Sequence, residues 1–125
     1  MREIKFRGKD KIGNKGWVFG DLVHNQKVTQ TGLEPRTMVA GYEVATETVG
    51  QFTGLLDEKG EEIYEGDIIS LKQPNGNYSS CEVSMSYKGY WAITWAIHER
   101  VLLGFVDRSH IEVIGNIHDN PELLK

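Results

Sequence analysis

The sequence predicts a mainly β protein with little helix, made of a small SH3-like, barrel-type carboxy-terminal portion and an amino-terminal β-hairpin packed on it. Three observations carry that prediction. Fourteen glycines in 125 residues, against a usual share of roughly 7%, stand mostly singly between short segments rich in β-branched and aromatic residues, which is the punctuation of strands and turns. Cys81, Val83, Met85 and Tyr87 alternate with Ser80, Glu82, Ser84 and Ser86, and Trp91, Ile93, Trp95 and Ile97 share one phase of the next segment, both at the period of a strand. From residue 62 onward five or six such segments are joined by tight turns, and short twisted strands in that number close most economically as a small barrel.

Taken in order, Glu3 to Arg7 alternates, with Ile4 and Phe6 on one side and Lys5 and Arg7 on the other, and Gly16 to Val23 returns as the second arm of a hairpin. Gln26 to Arg36 lacks a period and contains Gly32 and Pro35, so it reads as a loop. A strand follows at Thr37–Val44. In Thr46–Leu56 the apolar positions Val49, Phe52 and Leu55 follow no single period. Asp57-Glu58-Lys59-Gly60 is a turn, because Asp can bond the following backbone and Gly60 accepts positive φ. Glu62–Lys72 reads as one strand, and Pro74-Asn75-Gly76-Asn77 as the next turn. The pair of strands around Cys81–Tyr87 and Tyr90–His98 anchors the core, with a helical turn over 95–103 as the alternative. Ile111–Ile117 is the last strand, and Asn120-Pro121-Glu122-Leu123-Leu124 a capped terminal turn with Pro at its first position. The chain therefore reads as one domain over 1–125, with a β subregion at about 1–56, a barrel-like subregion at about 57–119 and a tail at 120–125.

Composition narrows the function. No apolar run approaches the roughly 18 residues of a spanning helix, and Met1 to Phe6 has no signal-peptide stretch, so the expected place is the cytoplasm, with no membrane partner. The single Cys81 makes no internal disulfide and leaves no cysteine cluster for zinc. The net charge of −4 hides an asymmetry: residues 1–36 carry eight Lys/Arg against four acids, and the remainder six against fourteen. Acids concentrate at Glu43, Glu47, Asp57, Glu58, Glu61, Glu62, Glu65 and Asp67, with Lys59 as the one base among them, and would repel a phosphate backbone if displayed together.

The chemistry-bearing residues are few. There is no phosphate-cradling glycine loop and no nucleophile elbow. His110 and Glu112 fall on one side of a strand, with His118-Asp119 nearby, but four histidines without ligand spacing point to exposed or locally bonded imidazoles rather than to a metal. Cys81, on an apolar strand side with no flanking cation, reads as core. No catalytic residue, metal or cofactor is expected. Lys5, Arg7, Lys9 and Lys11, with the out-of-phase Tyr90, are the candidates for single-stranded nucleic-acid binding, a reading the acidic middle of the chain disfavours.

Four blocks occur together in this chain: Met1-Arg2-Glu3-Ile4-Lys5-Phe6-Arg7; Glu47-Thr48-Val49-Gly50-Gln51-Phe52-Thr53-Gly54-Leu55; Asp57 to Ile69, with Glu61-Glu62-Ile63-Tyr64-Glu65-Gly66-Asp67 at its centre; and Glu112-Val113-Ile114-Gly115-Asn116-Ile117-His118-Asp119-Asn120-Pro121-Glu122-Leu123-Leu124. In combination they resemble the YopX family of small phage- and prophage-encoded proteins, while Gln26–Arg36 and Gln73–Arg108 show little of its signature. The resemblance implies a β-rich fold, a mobile-element origin and a capacity to oligomerise, and carries no catalytic residue over. Its recurring residues also have a physical reading. Gly50, Gly54, Gly60, Gly66 and Gly115 suit positive φ or close backbone approach, and Asp57 and Asp67 suit bonding to turn amides. Turn formers and core apolars with few convergent bases or nucleophiles are what a scaffold leaves. The expectation is a non-catalytic module of protein association, a homo-oligomer or the partner of a phage or host protein, steered by the opposite charges of the first hairpin and the acidic middle.

Overall fold

The computed structural model describes residues 3–85, 91–94 and 100–124. Tyr87, Tyr90, Trp95 and Ile97 lie outside them, as do residues 95–99 of the segment with the alternative helical reading. The chain is mainly β, in twelve strands: β1 Phe6–Lys9, β2 Trp17–Gly20, β3 Leu22–Thr29, β4 Gly32–Val39, β5 Tyr42–Glu43, β6 Gly50–Leu56, β7 Glu62–Tyr64, β8 Asp67–Lys72, β9 Tyr78–Met85, β10 Trp91–Thr94, β11 Arg100–Leu102 and β12 Ile111–Asn116. Among the described residues helix is confined to short 3-10 turns at Thr46–Thr48, Leu103–Phe105, Arg108–His110 and Pro121–Leu124. The strands form three antiparallel sheets, ordered β2-β1-β6-β7, β3-β4-β5 and β11-β10-β9-β8-β12. Two compact units result, Met1–Phe52 and Thr53–Lys125.

In the first unit the expected hairpin is present, with Phe6 opposite Gly20 and Lys9 opposite Trp17. The side expected to be apolar meets the core further along than expected, and the opposite side is also covered. The strand begins at Phe6, Ile4 is exposed, and Arg7 is buried with its guanidinium 4.7 Å from the Trp17 ring centroid. Gly8, two residues on from Phe6, meets the core instead: a Cβ there would lie 2.8 Å from Val44 Cγ2. The small core joins Val18, Val39 and Val44, with Leu22 and Val49 packed against them.

The loop expected at Gln26–Arg36 is in fact the heart of a long hairpin. β3 and β4 pair over eight positions, from Leu22 opposite Val39 to Thr29 opposite Gly32. Gln30 and Thr31 make the turn, secured by Thr29, whose Oγ1 donates to the Gly32 carbonyl and accepts from the Thr31 amide. Pro35 is accommodated because β5 reaches only Met38 and Val39, so β4 has β3 as its sole neighbour at Pro35, and a missing N–H on such an edge forfeits little. The strand expected over Thr37–Val44 is likewise two, bent at Ala40 (φ 53°) and Gly41 (φ 86°). Positive φ at both central residues matches the right-handed twist of the flanking strands.

In the second unit the five-stranded sheet is open: among the described residues β11 and β12 are its two edges and do not pair, so it is not a closed barrel. The chain leaves β11, passes through the turns at Leu103–Phe105 and Arg108–His110, and adds β12 beside β8, Ile111 opposite Leu71. The core gathers Ile63, Ile69, Leu71, Cys81, Val83, Ile93, Leu103 and Ile111, with Trp91, Val106 and Val113 against it. The alternation read over β9 has a physical counterpart, since Cys81 and Val83 are fully buried. Glu62–Lys72 is two strands rather than one, bent at Glu65–Gly66, with Gly66 at φ 89°. The Pro74–Asn77 turn closes with Gln73 N–H donating to the Asn77 carbonyl at 2.7 Å.

Candidate functional site

The β3–β4 hairpin has two unlike faces, and both follow from its register. Opposite residues share a side of an antiparallel pair. One side therefore reads Leu22/Val39, His24/Thr37, Gln26/Pro35 and Val28/Leu33, and the other Val23/Met38, Asn25/Arg36, Lys27/Glu34 and Thr29/Gly32. The first side begins as core, with Val39 fully buried and Leu22 packed on it. It ends with Val28 84% and Leu33 63% exposed. Beyond the intervening His24/Thr37 and Gln26/Pro35 pairs, an apolar pair thus returns on the core side at the tip of the hairpin.

The second side is polar and internally bonded. Arg36 Nε donates to Asn25 Oδ1 at 2.6 Å. Lys27 Nζ donates to both carboxylate oxygens of Glu43, at 3.1 and 3.2 Å, and Lys11 Nζ stands 3.5 Å from the same group. These lysines, Lys27 first, hold the Glu43 carboxyl below the usual range against the opposing effect of burial. The adjoining loop is built around Asp10, whose carboxylate accepts from the amides of Ile12, Gly13 and Lys15. Those amides, Gly13 foremost, lower its pKa.

The cations proposed for nucleic acid are occupied inside the first unit. Lys5 Nζ lies 5.2 Å from the Phe52 ring and 3.6 Å from Glu3, Arg7 and Lys9 lie over Trp17, and Lys11 pairs with Glu43. Tyr90 is outside the described residues. The acidic middle is no continuous display either. Glu43 is paired, and Asp57 and Asp67 are buried and bonded to backbone amides, while Glu47, Glu58 and Glu61 are exposed.

Asp57 is fully buried. Its Oδ1 accepts from the amides of Lys59 and Glu61, each at 2.9 Å, and its Oδ2 from the Val113 amide at 2.9 Å, while Arg108 Nε donates to its carbonyl. One carboxylate thus closes the Asp57–Glu61 turn and ties it to β12. Asp67 Oδ2 accepts from the Tyr64 amide at 2.7 Å across the Gly66 bend. Of the recurring glycines, Gly54, Gly60 and Gly66 have positive φ, and Gly50 and Gly115 do not. Gly115 answers to close approach instead, a Cβ there lying 2.5 Å from Asn120 Oδ1.

Of the remaining candidates, His110 and Glu112 are brought together and His118-Asp119 is not part of their cleft. His110 and Glu112 line one small polar cleft with Lys72, Tyr78 and Ser109. Glu112 is held by Lys59 Nζ at 2.8 Å, which raises the lysine's pKa. Asp107, lowered by the Ser109 amide, caps the turn before His110. The backbone amides of His118 and Asp119 both donate to Asn116 Oδ1. No group of three metal-ligating side chains occurs among the described residues. Burial pushes the Cys81 thiol up to about 11, far from the thiolate a nucleophile requires.

Open antiparallel sheets in two compact units, with structural carboxylates at the turns, define a small mainly β protein. The chain belongs to the YopX family, whose model, described as YopX protein, matches residues 5–125. The crystal structure of protein EF1440 from Enterococcus faecalis is similar over the whole of both chains, with 25% sequence identity and a TM-score of 0.58. No curated protein matches the chain. Among the described residues no helix is long and apolar enough to cross a membrane.

Proposed function

We propose that this chain is a non-catalytic protein-association module that binds a second copy of itself through the apolar side of the β3–β4 hairpin. The observation that carries the reading is the cross-strand pair Val28/Leu33, exposed on the side that at its root forms the core. An isolated two-stranded hairpin is marginal in water, and a long exposed strand edge is a template for further pairing. β3 is such an edge in its sheet. Around Val28 and Leu33 that side carries Gln26 and Pro35 and no charge. An uncharged aliphatic patch is complementary to its own two-fold copy, whereas a charged patch repels one. The phage or prophage setting implied by the family resemblance, and with it a bacterial cytoplasm, belongs to this reading.

Multi-angle light scattering of the native protein and of the Val28→Ser/Leu33→Ser double variant, over a range of concentrations, tests it. The expected result is a mass above that of one chain for the native protein and of one chain for the variant. A native protein of one-chain mass at every concentration contradicts the proposal, as does a variant that keeps the native mass.

A further inference from the structure

A second surface of the first unit is built differently. A cleft of about 580 Å³ lies between the Asp10–Gly16 loop and the strands β4 and β5, lined by Lys15, Arg36 and Tyr42 together with the apolar Ile12 and Met38. Two carboxylates, of Asp10 and Glu43, also border it, but both already have donors: three backbone amides on Asp10, and Lys27 and Lys11 on Glu43. With Glu34 opposite Lys27 included, the cations Lys11, Lys15, Lys27 and Arg36 stand against the carboxylates of Asp10, Glu34 and Glu43, which leaves one positive charge in surplus around the cleft. The Lys15 ammonium stands over the Tyr42 ring, 5.9 Å from its centroid, and Tyr42 is 38% exposed. Asn25 engages only the Nε of Arg36, and the guanidinium has further donors in a planar fork suited to a phosphate.

We infer that this cleft binds a nucleotide unit, its phosphate held by Lys15 and Arg36 and its base stacked on Tyr42. Cations beside an aromatic platform are the combination by which single strands are held without sequence readout, and the volume falls within the range of small-ligand sites. The same chemistry can arrive as a free mononucleotide or as part of a single strand. By register Arg36 and Met38 lie on the side of β4 away from Val28 and Leu33 while Tyr42 lies opposite Val39, so the cleft sits at the β5 edge of the sheet, away from the hairpin tip, and it uses none of the cations that the first strand commits to its own rings.

Fluorescence anisotropy of a short labelled oligothymidylate, titrated with the full chain at low and near-physiological salt, tests the site. Saturable binding is expected at low salt, weakening as salt rises. Tyr42→Leu should weaken it about tenfold, Tyr42→Phe should retain it, and Lys15→Ala/Arg36→Ala should flatten the salt dependence by about two phosphate contacts. Lys72→Ala, in the second unit, should change nothing. Competition by adenosine monophosphate separates the sources: displacement at matched nucleotide concentration assigns the site to the single unit, and failure to displace assigns it to the strand. Absence of saturable binding at low salt overturns the inference. So does loss through the charge variants with none in Tyr42→Leu, which would reduce the binding to diffuse attraction.

Discussion

The five-stranded sheet of the second unit and the β3–β4 hairpin of the first are both antiparallel, and they treat the apolar residues on one side in opposite ways. In the sheet, alternate residues of β8, β9 and β12 meet in one cluster with Ile93 and Leu103, nearly all of it closed to water. In the hairpin, the corresponding alternate residues start in a core and finish at Val28 and Leu33 with nothing from their own unit over them. Alternation states which side of a strand is apolar. It does not state whether the same chain supplies the cover, and in this protein that difference separates stability from association.

The comparison can be broken first at the turn that secures the sheet. Asp57→Ala should cost about 4 kcal/mol, because three amides lose a hydrogen bond to one buried carboxylate and a bond to a charged group contributes about 1.5–3 kcal/mol. Chemical denaturation measures it, and a loss under about 1 kcal/mol would show that water replaces the carboxylate. Ile93→Ala should follow at about 3 kcal/mol, the usual cost of truncating a closed aliphatic site, read as a lowered urea midpoint at unchanged slope.

A smaller effect is expected on the polar side of the hairpin. Glu43 has a folded pKa below its unfolded value, so its stabilisation is present above the unfolded value and is lost as pH falls through the folded one. The native protein should therefore lose stability in acid below the ordinary glutamate range, and Glu43→Gln should lessen that loss while leaving the second unit's core intact. Thermal melts across that pH range measure it, and identical acid limbs in the two proteins would remove the Lys27–Glu43–Lys11 cluster from the account. Smallest of all, Val28→Ser/Leu33→Ser should change the stability of the isolated chain by no more than about 0.5 kcal/mol, although it removes more exposed aliphatic surface than Ile93→Ala removes buried. A loss comparable to that of Ile93→Ala would mean that the chain itself covers the hairpin.

The sequence was readable where local chemistry and tertiary role agree. The Asp57–Gly60 turn, the Pro74–Asn77 turn and the β9 alternation are local patterns, and the structure has them because nothing nonlocal opposes them. Gln26–Arg36 reads as a loop because Pro35 and Gly32 are strand breakers by habit, yet at Pro35 β4 lacks a second neighbour and the cost of a proline does not arise. Burial of Arg7 is equally invisible in sequence, since it depends on Trp17 from the neighbouring strand covering a charge that composition alone would leave in water. The cleft of Lys15, Arg36 and Tyr42 joins residues of three elements, and only the pairing of β4 with β5 and the pinning of Lys11 N–H to the Glu43 carbonyl bring them together.

Hydrogen–deuterium exchange of the peptides spanning residues 22–39, followed at low and high protein concentration, tests the central claim most directly. Self-association through the hairpin predicts that amides of β3 and β4 near the tip gain protection as concentration rises, while those of β8 and β9 keep the same rates. Tip amides that exchange equally fast at both concentrations in a protein that nonetheless associates would contradict it.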